Sequence, residues 1–75
     1  MTNEQLKARV SVQVQGIAAD IARTVAALPV EKVPHEVMEL ATCMPGMLMP
    51  VASQLQQQGC DQEIFETFLD CGGLR

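Results

Sequence analysis

The chain has no tryptophan, no tyrosine and only two phenylalanines, Phe65 and Phe68. Stacking platforms for bases are therefore missing, and the interior of the fold falls to Val, Ile, Leu, Met and Ala. Positive charge is scarce too, with five Lys and Arg against nine Asp and Glu for a formal net charge of −4. Without a basic run or interleaved aromatics, direct binding of nucleic acid is not expected. The imbalance is local: Lys7, Arg9, Arg23 and Lys32 offset Glu4, Asp20 and Glu31, whereas beyond residue 32 only Arg75 opposes Glu36, Glu39, Asp61, Glu63, Glu66 and Asp70. A charged partner of the second half would have to be basic.

Long apolar runs are also missing. The most hydrophobic stretch, Met44 to Ala52, is interrupted by Pro45, Gly46 and Pro50 and is far too short to span a bilayer. Gln13, Gln15, Asp20 and Arg23 break the first thirty residues where a secretory leader would need an unbroken apolar core. Cys43, Cys60 and Cys71 are odd in number and irregularly spaced. These features predict a soluble, reduced, cytoplasmic setting rather than a disulfide scaffold.

Chelating and catalytic patterns are sparse. The one histidine, His35, and the three cysteines form no C-x-x-C or H-x-x-x-H pair, so no metal ligand set is assigned. A Cys-His nucleophile would need an orienting third group and an oxyanion hole, and no motif supplies either. No catalytic residue and no cofactor are expected, and the chain reads as non-enzymatic. Cys43 with Met44, Met47 and Met49 offers soft sulfur ligands, which keeps a copper or redox carrier as an alternative. Methionines also fill irregular gaps between helices and line adaptable grooves, and that use needs no ion.

What is there is a single apolar stripe. Leu6, Val10, Val14, Ile17, Ile21, Val25 and Leu28 recur at spacings of four, four and three, which keeps them on one side of a helix. Thr2 can cap that helix with Gln5 reaching back to it, and Pro29 ends it at Leu28. Val10, Val12 and Val14 also alternate with Ser11, Gln13 and Gln15 in strand fashion, over residues 9–16. No second strand-like run is present to pair with them, so the helix is preferred.

The remaining pattern predicts a linker at about 29–33 and short helices at about 34–44, 49–58 and 61–71. Pro34 and Glu36 suit the start of the first of these, with Val37, Leu40, Ala41 and Met44 inward. Met44-Pro45-Gly46-Met47 fits a type II turn, Gly59 and Gly72-Gly73 fit helix ends, and Asp61 fits a cap. The expected fold is one all-α domain over residues 1–75, a small bundle of three to four helices led by a long N-terminal amphipathic helix.

At 75 residues a single core is marginal and association commonly supplies the missing burial. A helix of about 26 residues is ~39 Å long, whereas a globule of this size is only ~30 Å across, so the helix should overhang its own body by ~10 Å. The simplest cover is a second copy packed antiparallel about a twofold axis, with the seven stripe residues as the dimer interface and Gly16 allowing a close approach. A binding surface for another protein is expected at Met44, Met47 and Met49, supported by Phe65 and Phe68. An acidic ridge of Glu63, Glu66 and Asp70 would steer a basic target such as a nucleic-acid-binding protein.

The functional expectation is a homodimeric regulator or adaptor that sequesters or inhibits a larger protein. Alternatives are the soft-metal carrier and a structural subunit of a larger complex. Small acidic helical proteins of this format resemble bacterial and phage regulators that act by sequestration, a likeness of format that assigns no residue.

Overall fold

The computed structural model describes residues 2–75. Its elements are α1 (Asn3–Ala27), one 3-10 turn (Val30–Lys32), α2 (Val33–Cys43), α3 (Leu48–Gln57) and α4 (Gln62–Cys71). The molecule is all-helical, four helices led by a long first one, and residues 9–16 lie inside α1 without interruption.

Helix α1 starts where its cap dictates. The Thr2 hydroxyl accepts from the Gln5 amide at 3.2 Å while the Gln5 side chain accepts from the Thr2 amide at 3.3 Å, so two otherwise unpaired donors are satisfied reciprocally. It stops at Ala27 because Leu28, preceding Pro29, is extended (φ −81°, ψ 150°).

The stretch expected as a linker is structured. Val30–Lys32 winds one 3-10 turn, closed by the Lys32 amide on the Pro29 carbonyl at 3.0 Å, and Val33 opens α2 fully buried. Val33 is an anchor: burying it brings the chain round within a few residues, and Pro34 is tolerated in the first turn where its missing donor costs little. The turn at Met44–Met47 is closed by the Met47 amide on the Met44 carbonyl at 3.0 Å. Its glycine, Gly46, does not take positive φ, so the expected type II geometry is corrected; proline at the second position suits either type, and only type II needs a left-handed third residue.

Left-handed glycines end α3 and α4 instead. Gly59 and Gly73 both have φ +67°. After each, the next amide reaches back five residues, Cys60 to Leu55 at 3.3 Å and Leu74 to Leu69 at 3.0 Å, which is the Schellman closure. Leu74 folds back against the core as that closure does elsewhere.

The core consists of Ala18, Ala22 and Val25 from α1, Val33 and Val37 from α2, Val51, Ala52 and Leu55 from α3, and Ile64 and Phe68 from α4. Helix α1 packs chiefly on α3, and α2 on α4. The two alanines let α3 approach α1 closely, and the Gln58 side chain donates from Nε2 to the Ala19 carbonyl at 3.2 Å to fasten the far end of α3 to the same helix. Only the second half of α1 takes part. Residues 3–13 are exposed throughout, Val14 is the first half-buried position, and the molecule extends 45 × 25 × 20 Å. Its radius of gyration of 13.0 Å exceeds the ~11 Å of a compact chain of this length because α1 projects.

Candidate functional site

The apolar stripe and the core face of α1 are different surfaces. At 3.6 residues per turn, the line through Ala18, Ala22 and Val25 lies roughly 80° around the helix from the centre of the stripe. Most of the stripe is consequently left beside the core rather than in it. Leu6, Val10 and Ile17 are 53%, 50% and 47% exposed, while Val14, Ile21 and Leu28 are half-buried. Val25, shared by both surfaces, is buried.

In its second half the stripe forms one wall of a groove. Ile21, Val25 and Leu28, with Asp20 and Thr24, face Leu40, Cys43 and Met44 of α2 and its C-cap across a space of about 380 Å³. Glu36 and Glu39 stand on the α2 side, and the floor is apolar. Asp20 is ion-paired with Arg23, and Glu39 Oε1 lies 3.3 Å from His35 Nε2. A second cleft, of about 340 Å³, lies between α1 and α3 and is lined by Ser11, Gln15, Ser53, Gln54 and Gln57 with Val14 and Pro50.

The methionine surface is divided. Met44 is 44% exposed in the groove, Met47 packs against the core, and Met49 is 72% exposed on α3. The aromatic support expected beside them is half lost: Phe65 is partly buried and Phe68 fully so, because Phe68 is the largest side chain available to fill the centre of a nearly ring-free core.

The acidic ridge on α4 is engaged within the chain. Arg75 Nη2 pairs with Glu66 at 3.3 Å and Nη1 with Asp70 at 3.3 Å, while Gln62 donates to Glu66 at 3.2 Å. Each of these exposed ion pairs contributes little stability, but together they reduce the field of the ridge. Glu63 stays exposed, its amide donating to the Asp61 cap at 2.9 Å.

The three cysteines are free thiols. Among the described residues, the cluster of His, Cys and carboxylate groups with ligand spacing is His35, Glu36 and Glu39, within 4.8 Å of one another. It contains no cysteine, lies on a single helix, and offers nitrogen and oxygen rather than the soft sulfur ligands that favour Cu(I). Cys43 and Cys71 are exposed thiols. Cys60 is half-buried, and burial, helped by the Asp61 charge, pushes its thiol above the ordinary value.

Gly16 has open space around the position a Cβ would take, and it lies ~130° around α1 from the centre of the stripe at 3.6 residues per turn. A close approach at the stripe does not involve it. Among the described residues no helix is long and apolar enough to cross a membrane. No family model, curated protein or solved structure matches this chain.

Glu36, Glu39 and Leu40 were not singled out by the sequence as surface-forming. Their i, i+3, i+4 spacing marks one side of α2, but which side meets α1 is decided by the turn at Val30–Lys32.

Proposed function

We propose that this protein is a non-enzymatic protein-binding module that acts as a homodimer and sequesters or adapts a larger protein. One observation carries the proposal: half of a 25-residue helix projects from the body with Leu6 and Val10 about half exposed, and Ile17, at the root of that half, is equally open. Isolated exposed apolar residues are ordinary, whereas a continuous strip rimmed by polar side chains marks an interaction surface. Identical strips cover each other most simply about a twofold axis, which makes the stripe the dimer interface.

The surface left for a further partner is the exposed Met49 on α3 and the acidic α4 with Glu63 and Asp70 exposed. A basic protein fits it, with Met49 as an adaptable apolar contact and the carboxylates setting encounter rate.

Two measurements test the reading. Sedimentation equilibrium should show a reversible dimer at micromolar concentration, lost in Ile17→Asp. Capture of basic proteins on the immobilised chain should fall in a Glu63→Lys, Glu66→Lys, Asp70→Lys variant that retains its thermal transition. A folded monomer at all concentrations removes the stripe from the proposal, and unchanged capture removes the acidic face.

A further inference from the structure

We infer that the groove between α1 and α2 is the seat for the projecting half of α1 from a second copy of this chain, laid antiparallel so that each copy fills the groove of the other. The inference rests on the homodimer reading above and specifies its geometry.

The stripe is symmetric about its own centre to within one residue. An antiparallel pairing that sets Ile17 on Ile17 brings Val14 to the level of Asp20, next to Ile21, Val10 to the level of Thr24, next to Val25, and Leu6 to Leu28. The half of α1 that contributes nothing to the core, residues 3–13, measures ~16 Å at 1.5 Å per residue, and the groove-lining segment Ile21–Leu28 measures ~12 Å. What projects and what is hollow therefore correspond in position and length. A parallel pairing would lay one projecting half against the other and leave both grooves empty.

Charge points the same way. The projecting half holds Glu4, Lys7 and Arg9, and the groove is bordered by Asp20, Glu36 and Glu39. Lys7 lies on the flank of the stripe nearer the core face, ~50° from the stripe centre at 3.6 residues per turn. A twofold axis keeps like flanks together, so Lys7 meets the side of the groove built by α2. The register sets it beside Ala27 and Leu28, at the end where α2 begins and Glu36 occupies its first turn. Neither Lys7 nor Glu36 takes part in the ion pairs found among the described residues. The symmetric dimer would form this Lys7–Glu36 pairing twice.

Cysteine cross-linking tests the arrangement in a background of Cys43→Ser, Cys60→Ala and Cys71→Ser whose helicity is verified by circular dichroism. Mild oxidation should link Ile17→Cys to itself. Leu6→Cys should not self-link, because two copies of residue 6 stand ~33 Å apart at 1.5 Å per residue, but should link to Leu28→Cys when the two are mixed. Self-linking of Leu6→Cys, or a dimer that links in none of these combinations, overturns the inference while leaving self-association intact. A chain that sediments as a monomer at every concentration overturns both.

In the otherwise native chain, Lys7→Glu should weaken association roughly tenfold, and adding Glu36→Lys should restore most of it. No recovery in the double variant contradicts the placement of Lys7. Alkylation of Cys43, a groove residue, should slow as dimer forms while that of exposed Cys71 stays constant; equal rates at both concentrations contradict occupation of the groove.

Discussion

The two halves of α1 both carry large aliphatic side chains, Leu6 and Val10 in the first and Ile21 and Val25 in the second, and meet opposite fates. From Ala18 onward the helix presents small residues to α3 and is fixed by the core; from Asn3 to Gln13 it presents Leu6 and Val10 to solvent. The halves differ in polarity, seven polar or charged residues of eleven in 3–13 against three of ten in 18–27, and in side-chain size. Ala18 and Ala22 allow two helix backbones to come close, so the bundle forms along the alanine line, and the larger aliphatics are left on the flank. A helix can thus be anchored by its least hydrophobic apolar residues and keep its most hydrophobic ones for another surface.

The sharpest way to break this comparison is to truncate one side chain in each region. Phe68→Ala, at the centre of the core, should cost about 3–5 kcal/mol in urea unfolding, enough to unfold a domain of this size. Leu6→Ala, measured where the chain is monomeric, should stay within about 0.5 kcal/mol of the parent. Comparable losses at both sites would mean that the projecting half is part of the folding unit.

A smaller effect probes the alanine line itself. Ala22→Leu introduces three carbons where the site is fully buried and should destabilise by about 1–3 kcal/mol through overpacking against its neighbours. Chemical denaturation measures it, and a neutral result would show that α1 and α3 have slack between them.

Gly16→Ala should act in the other direction. Nothing lies within 4 Å of the added carbon, so the substitution should stabilise α1 by up to about 1 kcal/mol without weakening the dimer. Loss of association in this variant would place Gly16 in an interface on the opposite side of the helix from the stripe. The smallest effect concerns thiol reactivity: with its thiol held in the protonated form by burial and by Asp61, Cys60 should alkylate more slowly near neutral pH than exposed Cys43 and Cys71 in the monomer. Mass-resolved labelling reads the order.

Much of the fold was legible in the residues, and for identifiable reasons. Thr2 and Gln5 mark the start of α1 through a local capping box, Pro29 its end, and Gly59 and Gly73 the ends of α3 and α4 through local left-handed caps. Signals of this kind lie within a few residues and need no tertiary partner. What could not be read is how each helix is rotated. Periodicity selects the stripe because it weighs large apolar side chains most heavily, whereas packing selects Ala18 and Ala22, whose small size leaves little trace in a hydrophobic pattern.

The candidate surface was legible only in part for the same reason. Leu6, Val10 and Ile17 were recognisable as one strip, but Glu36, Glu39 and Leu40 join it through a long-range arrangement of α2 beside α1. Arg75 reaching Glu66 and Asp70 is likewise a contact that acidic spacing on α4 does not reveal.

Amide hydrogen exchange as a function of protein concentration tests the central claim most directly, because it reads residues 3–13 and 18–27 in one experiment. The account predicts that at low concentration residues 3–13 exchange rapidly while Ala18, Ala22 and Val25 stay protected, and that protection of 3–13 rises in step with dimer formation. Protection of residues 3–13 that is already equal to that of the core half in the dilute monomer, or that never changes on association, would contradict it.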